Sequence, residues 1–301
     1  MSQSLETAPL KIGVFDSGFG GLTVLRALLP QLPLAQCLYV GDTARLPYGS
    51  KSQITIARYA VESAQFLVDQ GAQYLVIACN TASALALDAI RAAVNVPVLG
   101  VIETGAASAA AISKTRDVLV LATDATVQSH AYAQACASHG LRAIEKACPL
   151  LVPLIEEGWT NHAVTQQVLR IYLDEALVSA KSAGVIPDTV LLGCTHYPLL
   201  RPLLEHTLPA SMQILDSAET TAARVRQDLE SLHLLPAEML PAEMLLSIAA
   251  AHSEVGSLEA ATQLSARCRF FATDSIEKFQ RLGSRFLGQP MPVVELMDLG
   301  G

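Results

Sequence analysis

The chain has 301 residues, half of them hydrophobic and few aromatic, with a formal net charge of -8. That length gives room for two domains of ordinary size, and an alanine- and leucine-rich composition suits alternating strands and helices better than an all-β sandwich. The acidic balance, with no run of Lys and Arg, excludes a general nucleic-acid surface, and no apolar run approaches the roughly 20 residues that span a bilayer.

Residues 1–9 form a polar tail, after which residues 11–16 read as an apolar strand running into a glycine-rich turn at Ser17, Gly18, Gly20 and Gly21. A helical pattern follows in Val24, Leu25, Leu28 and Leu29. Amides at such a turn can make an anion site, but the spacing does not fit GxGxxG with an acidic strand end, so a dinucleotide is disfavoured. Residues 37–42 read as a second strand, and residues 44–51 as a loop stiffened by Pro47, with Gly49 able to bring backbone close to a ligand. Helical periodicity covers residues 54–70, capped by Gly71. The strand from Tyr74 to Ala78 then delivers Cys79, Asn80 and Thr81 before a helix over residues 83–93 and a strand over residues 96–101.

A second lobe is expected to begin near Glu103. An alanine-rich helix covers residues 104–113, and the strand 117–122 empties into Thr123, Asp124, Ala125 and Thr126. This repeats the device at Asp16 and points to two loosely repeated halves. Helices over residues 129–138 and 161–182 flank a segment from Cys148 to Gly158. The strand from Val190 breaks at Gly193 and delivers Cys194, Thr195 and His196, followed by a helix over residues 199–208. Residues 212–217 read as a strand returning the chain to the first lobe, with a helix over residues 219–229. Residues 236–240 are then copied as 241–245, most simply a tolerated insertion in a surface loop. A strand at residues 269–273 and a helix at 276–287 close the pattern, with the last residues peripheral.

The six cysteines show neither a CxxC pair nor metal-ligand spacing, and no secretory segment opens the chain, which reads as a reducing cytoplasm. A free thiol in an apolar run is ordinarily a small core residue, the reading for Cys37, Cys136, Cys148 and Cys268. Cys79 and Cys194 differ because each ends its run beside polar residues, where open α/β sheets bind ligands. Two thiols on opposite sides of a flat carbon can do what one cannot: one removes a proton and the other returns one to the far face, inverting a stereocentre. Hydroxyls and amides flank both motifs, enough to hold carboxylates without arginine. Asp16 can receive an ammonium group or polarise Cys79, the plainer reading being a helix N-cap. His196 can assist Cys194, and Glu156, beside Trp159, reads locally as an acid at a helix start.

Five separated motifs, around Asp16-Ser17-Gly18, Gly41-Asp42 to Pro47-Tyr48-Gly49, Cys79-Asn80-Thr81, Gly100 to Glu103 and Cys194-Thr195-His196-Tyr197-Pro198, resemble in order those of the glutamate racemases. The resemblance implies two similar doubly wound α/β domains related by a pseudo-twofold, with the active site in the cleft between them. Residues 1–102 and 214–301 would form the first domain and 103–213 the second. It implies a cofactor-independent, metal-free cytoplasmic enzyme interconverting L- and D-glutamate for peptidoglycan synthesis, with neither nucleic acid nor membrane as partner. It also implies a homodimer, although family members differ in oligomer form and regulation. Catalytic roles fall to Cys79 and Cys194 as the two bases, assisted by Asp16, Glu156 and His196. By that pattern Cys79 takes the proton from D-glutamate and Cys194 from L-glutamate. Substrate contacts fall to Asp16, Ser17, Pro47, Tyr48, Gly49, Asn80, Thr81, Thr123, Thr126, Thr195 and His196. The sequence departs from the pattern at Ala122, where a glycine is common, and at Asp124, a charge beside a presumed carboxylate-binding turn. Competing readings are a racemase for aspartate or another amino acid, a cysteine hydrolase using Cys194 with His196, and an amino-acid-binding protein without turnover.

Overall fold

The structure is a computed structural model that describes residues 9–235 and 264–299. Two parallel sheets organise it. The first contains β1 (Lys11–Asp16), β2 (Gln36–Gly41), β3 (Tyr74–Ile77), β4 (Val98–Gly100), β9 (Cys268–Ala272) and β10 (Val294–Leu296), in the order β10-β9-β2-β1-β3-β4. The second contains β5 (Asp117–Ala122), β6 (Arg142–Ala147), β7 (Thr189–Gly193) and β8 (Gln213–Asp216), in the order β6-β5-β7-β8. The run β2-β1-β3-β4 therefore has the same order as β6-β5-β7-β8, and β9 and β10 extend only the first sheet. Two similar α/β halves follow from that repetition.

Parallel strands covered by helices on both faces read as unbroken apolar runs rather than alternating ones. β3, β5 and β7 are buried at every residue, and β1 at every residue after Lys11. The helices covering the first sheet include α1 (Leu22–Gln31) and α2 (Gln53–Asp69), with the short α3 (Asn80–Leu85) and α4 (Leu87–Ala93) after β3. The second half carries α5 (Val101–Ile112), α6 (Asp124–Gln128), α7 (Ala131–Ser138), α8 (Leu151–Glu156), α9 (Ala163–Ser182) and α10 (Arg201–Thr207). α11 (Ser217–Ser231) carries the chain back, packing on both α1 and α5. α12 (Ile276–Leu287) turns Phe279, Leu282, Phe286 and Leu287 inward. One apolar cluster includes Leu22, Val24 and Phe279 with Leu119, Leu121 and Leu192, so the seam between the halves is itself core. Among the described residues no helix is long and apolar enough to cross a membrane.

The structure departs from the expected elements in several places: the helix expected over residues 83–93 is broken at Ala86 into α3 and α4, and α8 lies within the segment from Cys148 to Gly158. β6 corresponds to no expected element, because an edge strand carrying Arg142, Glu145 and Lys146 shows no apolar run. Gln213–Asp216 pairs with β7, so residues 214–216 complete the second sheet and the expected return to the first half at 214 moves to Ser217. Val294–Leu296, expected to be peripheral, adds a strand beside β9. The helix expected from Ser83 starts at Asn80, which makes Cys79 its N-cap. The copied segment 236–245 lies outside the described residues.

Candidate active site

The carboxyl ends of β1 and β3 face those of β5 and β7, and a cavity of about 550 Å³ lies between them. Its wall includes Ser17, Pro47, Tyr48, Gly49, Cys79, Asn80 and Thr81 from the first half. The second half contributes Thr123, Asp124, Glu156, Cys194, Thr195 and His196. Cys79 and Cys194 thus open onto one space, each from its own half. Asp16 and Thr126 stand behind the wall. Asp16 is 1% exposed and Thr126 fully buried; the latter joins a triangle of hydroxyls with Thr81 and Thr123 at 2.9–3.2 Å that ties the halves together.

Local geometry sets each thiol in place. The Cys79 sulfur caps α3, accepting the Ala82 N–H at 3.5 Å, and lies 3.5 Å from the Ser17 hydroxyl. Burial, reinforced by the negative charge of Asp16, pushes the Cys79 thiol up to about 12, with the Ser17 and Ala82 contacts opposing. The Cys194 sulfur lies 4.0 Å from His196 Nδ1, and His196 Nε2 is 3.2 Å from Glu156 Oε1. Burial alone would lower the imidazole, but the contacts with Cys194 and Glu156 outweigh it and raise His196 to about 10. Burial would likewise raise Glu156, yet His196 and Lys278 together hold it below its ordinary value.

Asp16 does not cap α1, whose N-cap is Gly21 without a side-chain bond. Its carboxylate instead accepts the Gly18 N–H at 2.9 Å and the Thr195 hydroxyl at 3.3 Å, linking the first half to the Cys194 motif. Burial raises its carboxyl, opposed first by His196. The glycine turn is accordingly not the anion cradle its amides offered: Gly18, Gly20 and Gly21 do not line the cavity. A Cβ on Gly20 would stand 2.2 Å from Thr195 Oγ1 and 2.6 Å from His196 Nδ1, so this glycine allows the halves to close on each other. Glu156 is the last residue of α8 rather than an acid at a helix start.

The loop 44–51 is a wall of the cavity, with a cis peptide between Leu46 and Pro47. Tyr48 donates to Asp42 at 2.5 Å, and Thr273 and Arg45 hold the same carboxylate, at 2.9 and 3.3 Å. Asp42 was legible only as a strand end, since its partners come from the loop and from Thr273, just past β9. Lys278 was missed for the same reason. It arrives on α12, more than 80 residues after Cys194, lines the cavity and reaches Glu156 Oε2 at 3.4 Å. Among the described residues no group of three or more His, Cys, Asp or Glu is arranged to hold a metal.

An anionic ligand in this space would meet hydroxyls, amides and two basic groups, His196 and Lys278, between two sulfurs, with Asp124, Glu156 and Glu157 also on the wall. Residues 21–225 match the family model described as Asp/Glu/hydantoin racemase. The chain is 53% identical over 290 residues to the glutamate racemase of Koribacter versatilis, covering 96% of this chain and 98% of that protein. The glutamate racemase of Francisella tularensis, solved in complex with D-glutamate, superposes with a TM-score of 0.79 at 31% identity, covering 96% of this chain and 98% of that one. The enzyme of Thermus thermophilus, solved with β-chloro-D-alanine, gives 0.76 at 38% identity over 96% and 97% of the two chains. Full-length similarity of this kind, joined to two cysteine motifs on one cavity, means that the chain belongs to the glutamate racemases of the Asp/Glu/hydantoin racemase family.

Proposed function

We propose that this chain interconverts L- and D-glutamate by proton removal and return at Cα, supplying the D-isomer for peptidoglycan, with Cys79 and Cys194 as the two bases. The observation that carries the reading is that both sulfurs border the same cavity, from opposite halves. In the scheme a thiolate on one side takes the α-proton, and the thiol on the other side delivers a proton to the opposite face of the planar carbanion. Starting from L-glutamate, Cys194 is the base and Cys79 the acid; from D-glutamate the roles exchange.

The surroundings support unequal assistance. His196, raised by its contacts with Cys194 and then Glu156, stands as a cation beside the Cys194 sulfur. Cys79, with Asp16 nearby, favours the protonated form, and the Ser17 hydroxyl and Ala82 N–H ease its ionisation when the substrate arrives. Asn80, Thr81, Thr123 and Thr195 line the space where the two carboxylates would sit, and Tyr48 and Gly49 close the side. Asp16, as a buried acid behind the wall, acts on charge rather than by touching the carbon. The cofactor-independent scheme asks nothing of a bound group.

The test is incubation of L-glutamate with the protein, without pyridoxal phosphate, followed by chiral chromatography. Appearance of D-glutamate up to an equal mixture is expected, at a rate far above that on L-aspartate. No conversion of glutamate, or faster conversion of aspartate, removes the reading. A thioester trapped on Cys194 would favour the hydrolase alternative.

A further inference from the structure

Asn80 has an unusual condition for a buried side chain. Its amide nitrogen Nδ2 is out of contact with solvent and has no hydrogen-bond partner, while the residue lines the cavity. A buried donor left unpaired is costly, and where it persists at a cavity wall it points to an acceptor carried by the ligand. The other end of the amide is occupied: Oδ1 accepts the Tyr132 hydroxyl at 2.6 Å.

Tyr132 comes from α7, in the opposite half of the molecule, and is fully buried. Burial, with the sulfurs of Cys136 and Cys194 and the acid of Glu145 adding to it, drives the phenol upward, so the hydroxyl keeps its proton. Its ring has little freedom. A Cβ on Gly193 would stand 2.9 Å from Tyr132 Cε2, so this glycine leaves the space that the ring fills. An asparagine amide can turn over and exchange its oxygen and nitrogen. The phenol, which keeps its proton, donates to the amide oxygen, and the other end of the amide, Nδ2, is left without a protein partner.

We infer that Tyr132 is a positioning residue: across the seam between the halves, its hydroxyl locks the Asn80 amide so that Nδ2 is already aimed to donate to a carboxylate oxygen of the substrate. This rests on the glutamate reading and deepens it. Because the lock spans the two halves, the orientation of Asn80 depends on their closure. Without the phenol, the amide would present its oxygen for part of the time, against an anion.

The experiment is a double-mutant cycle with Tyr132→Phe and Asn80→Ala, scored by KM and kcat on L-glutamate and D-glutamate. Wild-type turnover, measured first, tests the functional reading by itself. For Tyr132→Phe the expected result is a KM raised about tenfold with kcat changed less than about threefold. In the Asn80→Ala background the same substitution should leave KM unchanged. A Tyr132→Phe enzyme with wild-type KM, or losses that multiply in the double variant, overturns the assignment. So does an equal fall in kcat at unchanged KM, which a packing role would give. Should Tyr132→Phe not fold, the structure of the wild-type protein with D-glutamate decides: Nδ2 within hydrogen-bond distance of a substrate carboxylate, with Oδ1 on the phenol, supports it. Nδ2 turned toward the phenol overturns it.

Discussion

Cys79 follows β3 and Cys194 follows β7, strands that hold the same place in the two sheets. The register makes the correspondence finer. Phe15 pairs with Ile77 and Ala122 with Gly193, so by continuation Ser17 stands opposite Cys79 and Thr123 opposite Cys194. At the neighbouring position the halves part: the first has Asp16 and the second Ala122. Two residues beyond each cysteine they part again, with Thr81 in one and His196 in the other. One scaffold therefore presents two thiols in like geometry and unlike charge, Cys79 near a buried acid and Cys194 beside a cation backed by Glu156. An enzyme with an equilibrium constant of one between mirror-image substrates does not need mirror-image residues. On the proposed two-base scheme it needs only that one sulfur be ready to accept a proton when the other is ready to give one.

The comparison breaks most directly at the sulfurs. Cys79→Ala and Cys194→Ala should each slow interconversion by about 10⁴-fold, the upper range for a lost acid or base. In deuterated water the Cys194→Ala variant should still exchange the α-hydrogen of D-glutamate, and Cys79→Ala that of L-glutamate, as mass spectrometry would read. Intact racemisation in either variant ends the two-base scheme.

Next in size are the charges that make the halves unlike. Glu156→Gln removes one support of the imidazolium, so His196 should fall from about 10 toward its ordinary 6.5. The expected result is a turnover reduced about tenfold and an alkaline limb of the kcat/KM profile moved to lower pH; an unmoved limb would detach Glu156 from His196. Asp16→Asn removes a charge that holds Cys79 protonated, so alkylation of Cys79 in a Cys194→Ala background should begin at lower pH than with Asp16 present. An unchanged alkylation profile would mean that burial alone sets that thiol.

Smaller effects sharpen the picture. Lys278→Met should let Glu156 rise and reduce activity about threefold, with Lys278→Arg close to wild type, since Lys278 acts on His196 only through Glu156. Folding stability offers a further check. His196 rises on folding, so its contribution is full below about pH 6.5 and is lost as pH climbs through about 10. Thermal melts of wild type and His196→Asn should therefore converge between pH 7 and 10; a constant gap across that window would place the histidine's role in packing.

Much of this was legible in the residues themselves. Apolar runs ending in Cys79-Asn80-Thr81 and Cys194-Thr195-His196 marked the strands, the residues that border one cavity and the doubled design, because buried parallel strands leave a pattern that survives in a single sequence. β6 was not legible, since charges on an edge strand hide its period, nor was the allegiance of residues 214–216, since a strand's sheet is chosen by its neighbour and not by its own composition. Glu156 read as a helix-start acid because its partners, His196 and Lys278, lie 40 and 122 positions away.

The sequence by itself determined the α/β class, the pair of thiols and the hydroxyls around them, because these depend on local patterns of burial and polarity. Only the tertiary structure decided which charge stands beside each sulfur, that Asp16 reaches Thr195 rather than a helix end, that Tyr132 meets Asn80, and that Lys278 arrives from the last helix. Electrostatics and hydrogen bonds act over a few ångströms of space, and the residues they join here are separated by tens to hundreds of positions along the chain.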